Sequence, residues 1–122
     1  MGLAPVADLR EAYRLDLDGG AVAALLGGAP GEYPDRYDVA DPASLLPIRA
    51  RQVLCHGSRD VQVPVEISIR YAAAARNAGD DVVLRQWADV DHFDLIDPES
   101  LAWPDVLAAF ALLAPPEPRP LG

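Results

Sequence analysis

The sequence of 122 residues is 51% apolar, so it is long and apolar enough to form one domain with an ordinary core. Its formal net charge is −9, and its ten basic residues are scattered, which argues against binding to nucleic acid. One cysteine cannot form an internal disulfide, and no apolar run is long enough for a membrane span or a signal peptide. We therefore expect a reduced, cytoplasmic protein that binds neither nucleic acid nor membranes.

The N-terminal part of the chain predicts short elements. Residues 1–4 are apolar and precede a proline, which is typical of the end of a β-strand. Helical spacing predicts short helices over residues 7–14 and 21–26, the second closed by a pair of glycines. Residues 29–47 contain four prolines, so we expect short helical turns and loops there.

Four aromatic residues have more than one possible role. Tyr33 and Tyr37 are four residues apart around a proline, and they could pack together or line a substrate-binding wall. Amphipathic aromatic side chains commonly do both, although we favour packing. The same alternatives hold for Trp87 and Phe93.

The order strand, helix, strand follows in the second half. Residues 53–55 are consecutive apolar residues, as in a strand that is covered on both faces. Pro64 predicts the first position of a helix that Gly79 ends, and residues 82–84 predict the next strand. Two strands joined by a helix form a parallel pair with a right-handed crossover. The predicted inward stripe of the helix consists of Ile67, Tyr71, Ala74 and Ala78.

A last helix is predicted to begin near Pro104 and to stop before Pro115. Beyond it, residues 115–122 are polar and rich in proline, which predicts a stiff tail outside the core. We therefore divide the chain into one α/β unit at 1–114 and a tail at 115–122. The inward face of the last helix is predicted to consist of Val106, Leu107, Phe110 and Leu113.

Asp60 and His92 are the candidate catalytic residues. Asp60 follows the strand at 53–55 and His92 follows the strand at 82–84, so parallel pairing would bring both to one edge of the sheet. A serine hydrolase uses an acid and a histidine in this way to activate its nucleophile. Two simpler interpretations stay open: Asp60 as an acid that bonds its own turn, and His92 as a surface histidine in an acidic loop.

The residues around this pair resemble the last third of the α/β-hydrolase superfamily. Residues 56–64 read His-Gly-Ser-Arg-Asp-Val-Gln-Val-Pro, and residues 92–98 read His-Phe-Asp-Leu-Ile-Asp-Pro. Both segments are similar to the triad-acid and triad-histidine motifs of dienelactone hydrolase-like, prolyl-oligopeptidase-like and arylformamidase-like esterases. The resemblance implies that Asp60 orients His92, that His92 is the general base, and that the substrate is a carboxylic ester, an amide or a small peptide.

This resemblance extends over residues 3–113, which correspond to the C-terminal part of a hydrolase domain without its N-terminal half. It implies an α/β fold with a partial parallel sheet, made of the last strands of the hydrolase sheet, and flanking helices. One departure is Asp91, because the related motifs have a small residue before the histidine. We expect the Asp91 carboxylate to favour the imidazolium form of His92.

The nucleophile that this chemistry needs is missing from the sequence. No Gly-x-Ser-x-Gly motif occurs, and there is no loop of the His-Gly-Gly type that would supply oxyanion-binding amides. Ser58 lies in the turn of Asp60 itself, so we reject it as the nucleophile. We expect the chain to be a C-terminal fragment that is inactive alone, with the nucleophile in sequence that precedes Met1. The alternative is a genuine N-terminus on a short edge strand.

Two other functions stay open. The first is a non-catalytic interaction module, because a partial sheet would expose an unpaired apolar edge through which the chain could self-associate, or fold poorly alone. The second is a small metal-binding domain, because Asp89, Asp91 and Asp94 flank His92. With a single nitrogen donor and no second histidine at ligand spacing, we expect no metal site and no cofactor.

Two residues near Asp60 are expected to be structural. His56 ends its strand and should brace the turn rather than catalyse. Cys55 precedes it, and neighbouring strand residues point to opposite faces of a sheet, so the two side chains should not form a reactive Cys-His pair.

Overall fold

The computed structural model describes residues 1–114 and residue 120. Within these residues, three parallel strands form one sheet in the order β1-β2-β3, with helices on both faces. The predicted α/β class, with a small parallel sheet and flanking helices, is confirmed. The strands and α-helices are β1 (Gly2–Leu3), α1 (Leu9–Arg14), α2 (Ala21–Leu26), α3 (Pro34–Ala40), β2 (Gln52–Gly57), α4 (Val65–Asn77), β3 (Val82–Trp87) and α5 (Trp103–Ala111). Short 3-10 turns occupy Pro42–Leu45 and Asp94–Ile96.

The central strand, β2, organises the core. All six of its residues are buried, and it pairs in register with β3 along its whole length. Its side chains alternate between two faces, so Val53 and Cys55 pack towards α5 while Leu54 packs towards Tyr71 and Ala72 of α4. Both faces of β2 are covered, which explains why its sequence is a continuous apolar run.

Helix α4 begins one residue later than predicted, because Pro64 occupies its N-cap position. Ile67 and Tyr71 are buried as predicted, but the prediction for Ala74 and Ala78 is wrong, since both are exposed. Residues 72–75 are all alanine, so hydrophobicity could not indicate which of them face the sheet. The buried residues of this helix are Val65, Ile67, Ser68, Tyr71, Ala72 and Ala75.

The inward face of α5 also differs from the prediction. Val106 is buried as predicted, and Leu113 packs against the same core cluster. Leu107 and Phe110 are 52% and 62% exposed, whereas Ala109 is buried in their place. The helix is apolar on nearly every side, so its sequence does not define one face, and the small Ala109 side chain allows close approach to the sheet.

The first three helices form a separate cluster around Ala12, Val22 and Tyr37. Tyr37 is fully buried and its hydroxyl donates to the Gly28 carbonyl oxygen at 2.9 Å, so its packing role is confirmed. Tyr33 lies at the surface, where the Arg36 guanidinium stacks over its ring at 4.1 Å.

Two buried carboxylates connect loops to this framework. Asp41 accepts hydrogen bonds from the amides of Leu9 at 2.8 Å and Ala43 at 3.2 Å, which joins α1 to the segment after α3. Asp80 accepts from the amides of Ile48 at 2.8 Å and Arg49 at 2.9 Å, which joins the chain before β2 to the start of β3. In both cases a buried charge is retained because backbone donors replace its water.

Part of the C-terminal tail lies outside the described residues. Positions 115–119, 121 and 122 are not described, so the predicted stiff extension is a prediction only. Within the described residues, no helix combines the length and the apolar character that crossing a bilayer requires.

Candidate active site

The structure brings Asp60 and His92 together at the carboxyl edge of the sheet. Asp60 lies in the turn after β2, and His92 lies in the loop after the neighbouring strand β3. His92 Nδ1 is 2.7 Å from Asp60 Oδ2, within the range of a charge-assisted hydrogen bond. Parallel pairing of the two strands is the reason that residues 32 positions apart meet.

The Asp60 carboxylate uses its two oxygens for different purposes. Oδ1 accepts hydrogen bonds from the amides of Gln62 and Val63, both at 2.8 Å, while Oδ2 faces His92. The side chain has no exposed surface. Oδ1 therefore bonds its own turn, as the simpler interpretation of Asp60 expects, and Oδ2 contacts His92, as the triad interpretation expects.

Opposing influences act on the pKa of Asp60. Burial is the largest and raises the pKa, because it removes water from the charged form. Hydrogen bonds from the Val63 amide, from His92 and from the Gln62 amide together outweigh burial, so the pKa of Asp60 lies below its ordinary value. The group is therefore an ionised carboxylate at neutral pH.

An ionised carboxylate decides the tautomer of neutral His92. Because a carboxylate only accepts hydrogen bonds, Nδ1 of His92 must be the donor in the 2.7 Å contact. In the neutral ring, Nε2 then carries a lone pair. Among the described residues the contact to Asp60 is the only hydrogen bond of this ring, and the side chain is 31% exposed. Nε2 can accept a proton from a group that approaches it.

His56 holds the turn of Asp60 from the inside of the molecule. The ring is fully buried, with Nε2 2.8 Å from the Val63 carbonyl oxygen and Nδ1 2.7 Å from Ser68 Oγ on α4. A carbonyl accepts, so Nε2 donates to it, and Nδ1 of the neutral ring accepts the Ser68 hydroxyl proton. The expected bracing role is confirmed: His56 ties β2 to the turn and to α4.

Cys55 faces the other side of the sheet from His56. It is fully buried in the cluster beneath α5, and this burial is the main reason that its pKa rises to about 11. A thiol in such surroundings is not a nucleophile at neutral pH. The expected separation of Cys55 from His56 is confirmed.

Gly57 allows the two site loops to touch. A Cβ atom at this position would overlap the Val90 carbonyl oxygen of the loop that carries His92. Backbone hydrogen bonds then join the loops: the Ser58 amide donates to the Trp87 oxygen at 2.8 Å, and the Arg59 amide donates to the Val90 oxygen at 3.0 Å. Glycine is therefore required at position 57, because nothing larger than a hydrogen atom fits beside the Val90 carbonyl.

The acids around His92 stabilise their own loop. Asp91 Oδ1 accepts from the amides of Phe93 and Asp94, both at 2.9 Å, and Asp94 Oδ2 accepts from the Asp91 amide at 3.0 Å. In the described residues no hydrogen bond joins Asp91 to the His92 ring, and the expected effect of the Asp91 charge on His92 stays a prediction. The part of the chain that the structure describes contains no group of three His, Cys, Asp or Glu side chains that could hold a metal ion.

His92 opens onto a cleft of about 350 Å³ that the sequence did not indicate. Its polar lining consists of His92, Asp18 and Gln62. Phe93 is the only one of the four ambiguous aromatic residues in the lining, and its ring meets the His92 ring edge to face at 5.2 Å. The apolar lining consists of Val6, Leu17, Ala21, Val22, Val63 and Phe93. Most of these residues belong to the segment that runs from β1 to α2, where no local motif signals a site.

Comparisons of the chain with protein-family models, with curated proteins and with solved structures found no match. The resemblance to α/β-hydrolases therefore stays a prediction that rests on the two sequence motifs.

We expect Gly57→Ala to separate the two site loops. The added methyl group overlaps Val90 O, so we expect a loss of about 1–3 kcal/mol in the free energy of unfolding and a weakened contact between His92 and Asp60. Urea unfolding measures the first, and the downfield Nδ1–H proton resonance of His92 reports the second. Gly31→Ala is the control, because a Cβ there meets no atom within 4 Å. Equal behaviour of the two variants would contradict the steric argument.

We also expect a stability contribution from Asp60 that depends on pH. Its pKa is lowered in the folded state, so the contribution is fully present above the unfolded value of about 3.9 and is lost as the pH falls through the folded value. Urea unfolding at a series of pH values should show the stability advantage of the wild type over Asp60→Asn shrinking in acid. Asp89→Asn, a change at an exposed acid of the neighbouring loop, should show no such trend. A pH-independent difference for Asp60→Asn would refute the assignment.

Proposed function

We propose that this chain supplies the acid and the base of a serine-hydrolase triad in an α/β-hydrolase fold. The observation that carries the proposal is the 2.7 Å contact from His92 Nδ1 to the buried Asp60 carboxylate, with the rest of the ring lining an open cleft. A catalytic acid–base pair needs an oriented imidazole with one nitrogen free, and this arrangement supplies it. The reaction proposed for this pair is hydrolysis, in which an acyl group is transferred to water from a carboxylic ester, an amide or a small peptide.

Each proton in this reaction has a defined carrier. Nε2 of His92 takes the proton of a serine hydroxyl as the oxygen attacks the carbonyl carbon, and the ring becomes an imidazolium. The Asp60 carboxylate stabilises that positive charge and keeps Nδ1 as the donor throughout. His92 then returns the proton to the leaving group, and the same steps with water as the nucleophile release the acid.

The serine and the oxyanion-binding amides come from polypeptide outside these 122 residues in this proposal. Ser58, the hydroxyl nearest to Asp60 in sequence, accepts a hydrogen bond from Gln86 at 3.1 Å, and the sequence around it is not a nucleophile elbow. The chain alone is then inactive, and its small-molecule substrate is turned over only when the remaining part is supplied.

The simplest alternative is that the Asp60–His92 contact is an ordinary surface ion pair. The burial and support of Asp60, together with the partial exposure of His92, favour a catalytic pair instead. Exposed ion pairs contribute little and are held loosely. Here the acid is fully buried, two backbone amides fix it, and a second buried side chain, His56, supports its turn. The base alone is partly exposed, and it faces a cleft. Such a combination of a buried, perturbed acid with an accessible base is typical of catalytic pairs.

The tautomers of the two histidines test the proposal. Long-range ¹H–¹⁵N correlation spectra of the chain above the titration range of the histidines should show neutral His92 with its proton on Nδ1. His56 is the internal control, because its contact to the Val63 oxygen requires the proton on Nε2. In Asp60→Asn the side-chain amide can donate to Nδ1, so His92 should convert to the Nε2–H form. His92 protonated on Nε2 in the wild type would sink the proposal.

An activity assay tests the missing nucleophile. The chain should not hydrolyse p-nitrophenyl acetate above background, and the coding DNA upstream of Met1 should encode a Gly-x-Ser-x-Gly motif in frame. Turnover that both Asp60→Ala and His92→Ala abolish would show that these residues work with a nucleophile inside the chain.

A second candidate function is assembly through the edge of the sheet. Strand β1 is two residues long and has β2 on one side, and no other strand of the described residues pairs with it. The Ala4 amide bonds to the Cys55 oxygen at 2.7 Å, so the alternation of a strand turns the Leu3 amide outward. An outward amide and carbonyl on an edge strand can bind a strand of another chain, including a second copy.

We expect self-association through this edge, measured as a weight-average mass that rises with concentration in sedimentation equilibrium. Leu3→Pro removes the outward amide and should reduce association, whereas Leu3→Ala loses comparable packing but keeps that amide. A constant monomer mass for the wild type, or equal effects of the two substitutions, would count against association through the edge.

A further inference from the structure

The cleft beside His92 contains a carboxylate that the acid–base pair does not use. Asp18 lines this cleft, and the other described lining residues apart from His92 carry no ionisable side chain. No hydrogen bond or ion pair to the Asp18 carboxylate occurs within the described residues, in contrast to the fully bonded Asp60. Its charge is therefore not neutralised by a neighbouring group of the described chain.

The backbone, rather than contacts of its side chain, places Asp18 at the cleft. The turn between α1 and α2 has four residues with positive φ: 52° at Asp16, 53° at Asp18, 59° at Gly19 and 88° at Gly20. The left-handed region is unfavourable for residues other than glycine, and aspartate is among the few that tolerate it. The left-handed backbone of these two aspartates fixes the shape of the turn. Of the two, only Asp18 lines the cleft.

We propose that the cleft selects substrates with an apolar body and a cationic group, with Asp18 as the residue that pairs with the cation. The placement of the reacting carbonyl at His92 rests on the proposed function, but the preference for a cation does not. Asp18 is exposed to solvent, so a bound cation would pair with it as a solvent-screened charge while its apolar body packs on the cleft walls. Apart from His92, the described lining offers no basic side chain, so an anionic group beside Asp18 would be repelled by its carboxylate.

Phe93 favours an organic cation over a metal ion. Phe93 is 60% exposed and lines the cleft together with Asp18, and an exposed aromatic ring can attract an ammonium group. A single carboxylate provides too few ligands for a divalent metal, which takes several oxygen donors. A cleft of about 350 Å³ with apolar walls suits a small amine such as an aralkyl ammonium compound.

Binding of two unreactive probes tests this inference. Benzylammonium and benzyl alcohol are similar in size and differ in charge, and their titration into the ¹⁵N-labelled chain can be followed by amide shifts. We expect benzylammonium to bind roughly fivefold more tightly, which corresponds to a solvent-screened charge pair at contact. The shifts should be largest near Asp18, Gly20 and Phe93, and the preference should shrink at about 1 M salt, where the screening length is about 3 Å.

A matched pair of variants assigns the effect to one residue. Asp18→Asn should abolish the preference for benzylammonium, whereas Asp16→Asn, the same change of charge at a left-handed residue of the same turn, should retain it. Equal binding of the two probes by the wild type would overturn the proposal, and so would an equal loss in both variants. A spectrum of the free chain without dispersed amides would also overturn it, because the cleft would not exist.

Failure of this inference is distinguishable from failure of the proposed function. Neither probe has an acyl group, so the binding result does not depend on catalysis. If the preference is absent while His92 keeps its proton on Nδ1, the substrate class alone is wrong. If His92 has the opposite tautomer while the preference persists, the proposed acid–base role is wrong and the cation preference of the cleft stands.

Discussion

The structure around the site depends on the need to satisfy a buried carboxylate. An ionised acid without exposed surface is costly unless hydrogen-bond donors replace its hydration, and Asp60 obtains three of them. Two are amides of its own turn, and the third is the ring of His92 on the neighbouring loop. This requirement fixes the shape of the turn and the orientation of the imidazole at the same time. A similar solution recurs at Asp41 and Asp80, where backbone amides are joined by one side-chain donor each, Arg10 at Asp41 and Gln52 at Asp80.

The chemistry of the pair follows from the way the two loops are supported. His56 connects β2 to the turn and to α4, so the acid is held from the core side. Gly57 lets the backbone of the second loop lie against the end of β2, and the amides of Ser58 and Arg59 then donate to the oxygens of Trp87 and Val90. An imidazole supported in this way is already oriented, which is the property that the proposed general base needs.

Much of the fold was predictable because its signals are local. The apolar run of β2, the glycine after α4 and the Pro-rich segment after α2 indicated elements that the structure contains. The buried faces of α4 and α5 were predicted only in part. Four consecutive alanines in α4, and apolar residues around nearly the whole of α5, offer the sheet several equivalent faces. The choice among them depends on how closely each side chain lets the helix approach, which is a property of the packed molecule.

For the site, the sequence by itself predicted the pairing of Asp60 with His92 and the bracing role of His56, because each lies at or near a strand end and parallel strands end at one edge. It also determined that no nucleophile elbow lies within the 122 residues. Only the tertiary structure decided which oxygen of Asp60 meets His92, and that Asp91 caps its own loop. It alone placed Asp18 in the lining of the same cleft as His92. The positions of Asp60 and Asp18 relative to His92 depend on segments distant in sequence, and no local pattern encodes a distance across the fold.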